Sequence, residues 1–339
     1  MELIDLFCGG GTFSAGFVAA GGRAVAGVDN DEHALAVYRA NFANAVVCCR
    51  RLPLDFGQLK QRLPPLGAQT HIHLSPPCTA ISSARRQPTK DQREDGLQLL
   101  AWSIELVLHA RLGSWSIEDV DVRESRAVAE HYRSLHPDRV EFVTLDASSF
   151  GAPQRRTRLY IVPPDMKDAL VQEANEGAST TIRQAFEREG TPLPSNHVRA
   201  TAYTSSSSRC VRTVEEKAFT VVASRAGSFC DATGERLVQT FSPQQSRILM
   251  GLPREFVLPA NAKRAQRILG NGVAGQVAAA IYRAAVAARG FRPEGPHSSA
   301  HDDAQVDDLV EAARRVAKSV MDARSVSVRK RPLDTTNPN

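Results

Sequence analysis

The first 165 residues alternate short apolar runs with stretches whose apolar positions recur every three to four residues. Residues 3–7 form an apolar run of strand length. A cluster of glycines follows, then a helix-like stretch over 12–20. Residues 24–28 read as the next strand. Residues 31–42 predict a helix with Ala34, Leu35, Val37, Tyr38 and Phe42 on its apolar side. Further strands are predicted at 71–74, 114–117, 140–145 and 158–162, and further helices at 91–110 and 124–135. Strands that alternate with helices in this way predict an α/β fold with a doubly wound sheet.

The texture changes after Pro163-Pro164. Residues 165–212 are rich in Gly, Ser, Thr and Pro and read as a loop-rich insertion or small second domain. Order returns at 219–222. Ser242-Pro243-Gln244-Gln245 has the form of a helix start: an N-cap serine, a proline at the first helical position and a glutamine closing the capping box. Residues 273–288 predict an alanine-rich helix. A polar stretch then leads to residues 306–323, which predict one isolated amphipathic helix, and a basic, disordered end at Arg329-Lys330-Arg331. The expected organisation is a core over 1–164, a small region over 165–240, a return to the core over 241–290 and a polar tail over 291–339.

Composition adds bounds. The 339 residues, 42% hydrophobic and 23% charged, suit an ordinary globular chain with a sizeable core. A net charge of +5 is compatible with a polyanionic partner without requiring one. The six cysteines (Cys8, Cys48, Cys49, Cys78, Cys210, Cys230) fit no zinc spacing and read as free thiols of an intracellular protein. No signal peptide and no membrane-spanning run is expected.

The candidate chemistry sits at strand ends. Asp5-Leu6-Phe7-Cys8-Gly9-Gly10-Gly11-Thr12 joins the first strand to the first helix, where glycines let a ligand approach the backbone. Asp29, at the end of the second strand, can accept hydrogen bonds from ribose hydroxyls. The glycine spacing does not fit a dinucleotide fingerprint. Ser75-Pro76-Pro77-Cys78 holds a cysteine rigidly after a strand, which suits a nucleophile, although an isolated Pro-Pro-Cys is more often incidental. Glu118 closes a later strand and could act as an acid or donor. Arg156 and Arg158 lie two apart, so they point to one side of an extended chain. Gly270-Asn271-Gly272-Val273 is placed at the opening of the last core helix, where its N–H groups could face a carboxylate.

In order and spacing these segments resemble the cytosine-C5 DNA methyltransferase family, from residue 2 to about residue 288. Asp5–Gly11 looks like its cofactor motif and Pro77-Cys78 its catalytic Pro-Cys. Glu118-Asp119-Val120 stands for Glu-Asn-Val, Gln154-x-Arg156-x-Arg158 for Gln-x-Arg-x-Arg, and Gly270–Val273 for the late Gly-Asn motif; Gly251-Leu252-Pro253 also matches. The resemblance implies a Rossmann-like methyltransferase sheet with a target-recognition region, and S-adenosylmethionine held by Phe7, Gly9, Gly11, Thr12, Asp29, Asn30, Pro76, Asn271 and Val273. It implies that Cys78 adds to cytosine C6, that Glu118 holds the N3/N4 edge and that Arg158 contacts the base carbonyl. Arg156 would support the loop of Cys78 and the substrate. The base is flipped out of the duplex, and a loop over 82–93 with Arg85, Arg86, Lys90 and Arg93 closes over DNA.

The expected substrate is double-stranded DNA, with RNA as an alternative because a tRNA-modifying branch shares these motifs. A catalytically weak binding module is the third reading. A monomer inside the cell is expected, in bacterial or viral-host cytoplasm, or in the nucleus if the source is eukaryotic. A restriction-modification role and a solitary one are not separable. The chain departs from the family at Asp119 (usually Asn), at Thr79 (commonly Gln) and at Asn30 (usually large and apolar). The acid expected after the third strand is replaced by Cys48-Cys49-Arg50-Arg51. The recognition region carries scattered Arg183, Arg188, Arg199 and Arg209.

Overall fold

The structure is a computed structural model that describes residues 1–53, 61–78, 89–110, 114–177, 179–200, 211–289 and 304–329. Its centre is a seven-stranded sheet of β1 (Glu2–Leu6), β2 (Arg23–Asp29), β3 (Val46–Cys49), β4 (Thr70–Leu74), β5 (Trp115–Asp119), β6 (Glu141–Asp146) and β7 (Thr157–Val162). The spatial order is β3-β2-β1-β4-β5-β7-β6. Neighbouring strands from β3 through β5 run parallel, and β7 is antiparallel to both β5 and β6. The strand order reverses between β1 and β4, the place where open α/β sheets leave a crevice beyond their carboxyl ends.

Helices cover both faces, so the central strands are buried, including the polar Asp5, His71, His73 and Ser116. On one face Ile4, Leu6, Ile72, Leu74, Trp115 and Ile117 pack under α3 (Lys90–His109) and α4 (Arg123–Leu135), with Trp102 fully buried. On the other, Leu3, Tyr160 and Val162 pack under α1 (Thr12–Ala19), α5 (Pro164–Glu176) and α9 (Gly275–Arg289). The helix α2 (Glu32–Asn41) lies against β2 and β3. Its N-cap Asp31 accepts from the N–H groups of His33 and Ala34.

A second sheet, antiparallel and four-stranded in the order β11-β10-β8-β9, is built from β8 (His197–Arg199), β9 (Val211–Thr213), β10 (Ser228–Cys230) and β11 (Leu237–Thr240). Residues 165–212 are therefore not simply loop. They contain most of α5, which packs on the main sheet's helices and on β6, and α6 (Ile182–Arg188), which has a Thr181 capping box. Residues 219–222 form no strand.

Helix α7 (Pro243–Leu249) starts as its sequence predicts, with Ser242 and Gln245 forming the capping box. Helix α8 (Ala262–Asn271) ends within Gly-Asn-Gly. That segment therefore closes one helix and links it to α9, rather than opening the last core helix.

The C-terminal helix α10 (Ala304–Arg329) is not isolated. Ala313, Ala317 and Met321, four residues apart, are buried in the cluster beneath α3 and α4. The chain past Arg329, the loop arginines Arg85 and Arg86, Thr79, Cys210 and Arg209 lie outside the described residues. Among the described residues, no helix is long and apolar enough to cross a membrane, and no group of three or more His, Cys, Asp or Glu could hold a metal.

Candidate active site

The turn after β1 bends through positive φ at Phe7 (60°), Gly9 (52°) and Gly11 (86°). A Cβ on Gly11 would stand 2.5 Å from the Phe42 ring, so both space and φ require glycine there. A Cβ on Gly9 would meet nothing within 4 Å, so open space lies over the turn. Asp29 holds the turn from β2: its Oδ2 accepts the Gly9 N–H at 2.8 Å and its Oδ1 accepts the Asp31 N–H at 2.9 Å. A carboxylate has about four acceptor positions, so Asp29 keeps capacity for a ligand's hydroxyls. The turn thus fits the nucleoside part of S-adenosylmethionine. On the other side of Asp29, Asn30 is exposed, and its carbonyl faces the Cys49 thiol at 3.9 Å. Arg50 follows Cys49 and donates its N–H to the Asp29 carbonyl.

Asn271 and Val273 reach the same neighbourhood by a different route from the expected one. The Val273 N–H donates to Thr12 Oγ1 at 2.9 Å, and the Gly272 N–H donates to the Leu269 carbonyl. These donors tie the return segment to the first turn of α1 and are not held out for a carboxylate. A Cβ on Gly272 would stand 2.1 Å from Thr12 Oγ1, which explains the glycine.

Cys78 lies at the carboxyl end of β4, beside the glycine turn across the β1–β4 pair. It is half-buried, behind the buried Pro76 and exposed Pro77. Burial first, then the neighbouring Asp119 and Glu118 carboxyls, push its thiol up to about 12; Arg158 and Arg156 pull the other way. Glu118 is 5% exposed, and its Oε1 meets Arg158 Nε at 3.1 Å. Burial raises the Glu118 carboxyl above the ordinary range, against Arg158 and Arg156. Asp119 is buried too. Its Oδ1 accepts the Val120 N–H at 2.6 Å and its Oδ2 faces Ser125 Oγ at 3.4 Å.

Arg156 is held on the returning chain. It is buried and donates to the carbonyls of Val221 (3.0 Å), Gly270 (3.1 Å) and Gly272 (2.6 Å), so it clamps the returning chain. Its Nε is buried without a partner. Gln154 completes the clamp: its Nε2 donates to the Leu249 carbonyl at 2.9 Å, and its Oε1 accepts the Val221 N–H at 2.9 Å.

Comparison with known proteins places this arrangement. The family profile described as C-5 cytosine-specific DNA methylase matches residues 1–185. The chain belongs to the C-5 cytosine-specific DNA methylase family. It is 30% identical over 202 residues to the Type II methyltransferase M.HgiDI of Herpetosiphon aurantiacus, a match covering 55% of this chain and 61% of the relative. It is 30% identical over 175 residues to the Type II methyltransferase M.AgeI of Thalassovita gelatinovora, covering 48% and 39%. The matches thus span less than two thirds of these relatives' length. Among solved structures, S. pombe Dnmt2 methyltransferase aligns with TM-score 0.58 at 17% identity, covering 86% of this chain and all of that one. Entamoeba histolytica methyltransferase EhMeth aligns with TM-score 0.54 at 16% identity, covering 85% and 98%. These two likenesses show the shared Rossmann-like fold.

Within this C-5 methylase, the fold gathers Cys78, Glu118 and Arg158 at one crevice, with the glycine turn and Asp29 alongside. Lys90 and Arg93, expected on a DNA-facing loop, lie on the first turn of α3. There Lys90 is 3.8 Å from Asp322 of α10, and Arg93 is 4.0 Å from Glu124. In the smaller sheet and its flank, Arg183 pairs with Glu215 and Arg199 donates to the Gly234 carbonyl. Sequence reasoning quoted Gln154 without a role and gave no weight to His71 and His73. The visible signal was their period of two, matched by Ser114 and Ser116.

Proposed function

We propose that this protein transfers a methyl group from S-adenosylmethionine to C5 of cytosine in DNA, with Cys78 as the covalent nucleophile. The observation that carries the reading is the buried Glu118–Arg158 pair within electrostatic reach of the Cys78 thiol, at the sheet's switch point beside the glycine turn.

Cytosine C5 is too weak a nucleophile to be methylated directly. Addition of the Cys78 sulfur to C6 makes C5 electron-rich, a covalent strategy that divides one hard step into two easier ones. Glu118, whose carboxyl burial raises, is suited to share a proton with the ring N3 and absorb the charge that develops there. Arg158 orients Glu118 and presents guanidinium N–H groups toward the base carbonyl. Bound S-adenosylmethionine supplies the electrophilic methyl group. Phe7, Gly9, Gly11, Thr12 and Asp29 would hold it, together with Asn30 and Pro76, and Asn271 and Val273 would back the pocket through the Val273–Thr12 bond. Loss of the C5 proton and expulsion of Cys78 then complete the reaction.

A thiol held at about 12 is protonated at neutral pH, so the free protein carries a resting nucleophile. The thiol must therefore give up its proton as the S–C6 bond forms, a step favoured by the Arg158 and Arg156 guanidiniums that pull the thiol down. The target carbon is inaccessible inside a duplex, so the base is flipped out. Target recognition is assigned in this reading to the small antiparallel sheet β8–β11.

Labelled S-adenosylmethionine offered with duplex DNA and, separately, with tRNA tests the reading. Label at cytosine C5 of the duplex is expected. Label in tRNA alone moves the substrate to RNA, and label in neither refutes the activity.

A further inference from the structure

His71 and His73 lie on β4 at the centre of the sheet, and neither has exposed surface. They alternate with Ile72 and Leu74. Ser116 stands opposite His73 on β5. Four hydrogen bonds join five residues in a row. Ser114 Oγ is 2.7 Å from His71 Nδ1, and His71 Nε2 is 2.9 Å from Ser116 Oγ. Ser116 Oγ is 2.8 Å from His73 Nδ1, and His73 Nε2 is 2.7 Å from Ser75 Oγ. The Phe13 ring lies flat on His73 with centroids 3.4 Å apart, and Phe17 stacks on His71 at 5.6 Å. Burial first, and His71 second, hold the His73 imidazole well below its usual range, so it is neutral at pH 7.

Ser116 has one hydroxyl proton and two imidazole nitrogens in reach. It donates to one nitrogen and accepts from an N–H of the other ring. Both rings then carry their proton on the same kind of nitrogen, both on Nε2 or both on Nδ1. The row is a single directed chain that ends on Ser75. Ser75 is the residue from which the nucleophile loop departs. Its N–H donates to the Leu6 carbonyl at 3.2 Å, and its hydroxyl meets His73. The next two residues are prolines, which have no N–H and a fixed φ. Orientation set at Ser75 is therefore passed on stiffly to Cys78.

We infer that the Ser114–His71–Ser116–His73–Ser75 chain is a positioning device for the nucleophile loop, with Ser75 as its output and the direction of the Cys78 sulfur as what it controls. This rests on Cys78 being the nucleophile, as proposed above. A buried polar row of this kind is tolerated only when every member is satisfied, and it then enforces one geometry. Displacing a reacting atom by about 1 Å can lower a rate on the order of a hundred-fold.

The test compares wild type with Ser75→Ala and Ser75→Thr. Long-range proton–nitrogen NMR of the wild type should show the same tautomer at His71 and His73; opposite tautomers overturn the chain. Ser75→Ala should slow formation of the Cys78 adduct with 5-fluorocytosine duplex on the order of ten-fold. The S-adenosylmethionine Kd and the urea midpoint should be unchanged, and Ser75→Thr should restore the rate. Iodoacetamide labelling of Cys78, read by peptide mass, should be several-fold faster in Ser75→Ala. Adduct and labelling rates equal to wild type overturn the inference. If even wild type forms no adduct, the methylation reading fails, and the tautomers and labelling rates still decide the positioning claim.

Discussion

Asp119→Asn removes a charge that the folded protein does not hold at neutral pH. The carboxyl is 2% exposed, and burial lifts it from 3.8 to about 8, with Glu118 adding to the rise. In the unfolded chain the same group ionises near its ordinary value of about 3.9. Its folded pKa is raised, so its contribution to stability is complete below about pH 4 and is lost as pH rises through about 8. Within that window each pH unit costs the fold about 1.4 kcal/mol relative to a side chain that does not titrate. At pH 7 this amounts to about 4 kcal/mol as a ceiling.

Asparagine keeps a carbonyl for the Val120 N–H and offers its amide to Ser125 Oγ, so the local bonds survive. The variant should therefore gain on wild type steadily between about pH 5 and about pH 8. Urea unfolding of both proteins across that range, followed by circular dichroism, reads the difference; groups common to both cancel. A gap that stays constant with pH, or that favours wild type more as pH rises, would refute the reasoning. Above about pH 8, where Asp119 is ionised, its removal also takes away one of the charges that raise the Cys78 thiol, so iodoacetamide should label Cys78 faster in the variant there.

Two further outcomes follow from the packing. Gly272→Ala places a Cβ 2.1 Å from Thr12 Oγ1 and breaks the Val273–Thr12 bond. It should lose about 1–3 kcal/mol of stability and weaken S-adenosylmethionine binding, both measurable by urea titration and calorimetry; wild-type values for both would contradict the docking described. Arg158→Ala leaves Glu118 buried without its partner, which costs about 3 kcal/mol and raises the Glu118 carboxyl further. Adduct formation should fall on the order of a hundred-fold, and retention of the wild-type rate would show that Arg158 has no part in the reaction.

Much of this was legible along the chain. Strand–helix alternation predicts the doubly wound sheet because helices that cross between parallel strands cover both of its faces. Ser242, Pro243 and Gln245 announce α7 because a capping box is a local device. Glu118 and Asp29 close β5 and β2, Cys78 follows β4, and Arg158 opens the antiparallel β7, so all four lie at one edge of the sheet. What failed depended on partners distant in sequence. The sequence pairs Arg156 with Arg158 but cannot show that the Arg156 Nη1 and Nη2 groups donate to carbonyls at 221, 270 and 272. The apolar stripe of α10 says that one face is covered, and only the fold shows that α3 and α4 cover it. Helix α5 is hidden in a stretch whose Gly, Ser, Thr and Pro content suggests loop, although Pro164 at its first turn is a start signal. His71 and His73 pass for strand filler until Ser114 and Ser116 are seen beside them.

The central claim is that the Cys78 sulfur bonds to the target base. Incubation with S-adenosylmethionine and duplex DNA carrying 5-fluorocytosine, followed by denaturing electrophoresis and peptide mass analysis, tests it most directly. The account predicts a stable protein–DNA adduct mapped to Cys78 and none with Cys78→Ser. An adduct on another residue, or one that persists in Cys78→Ser, would contradict it.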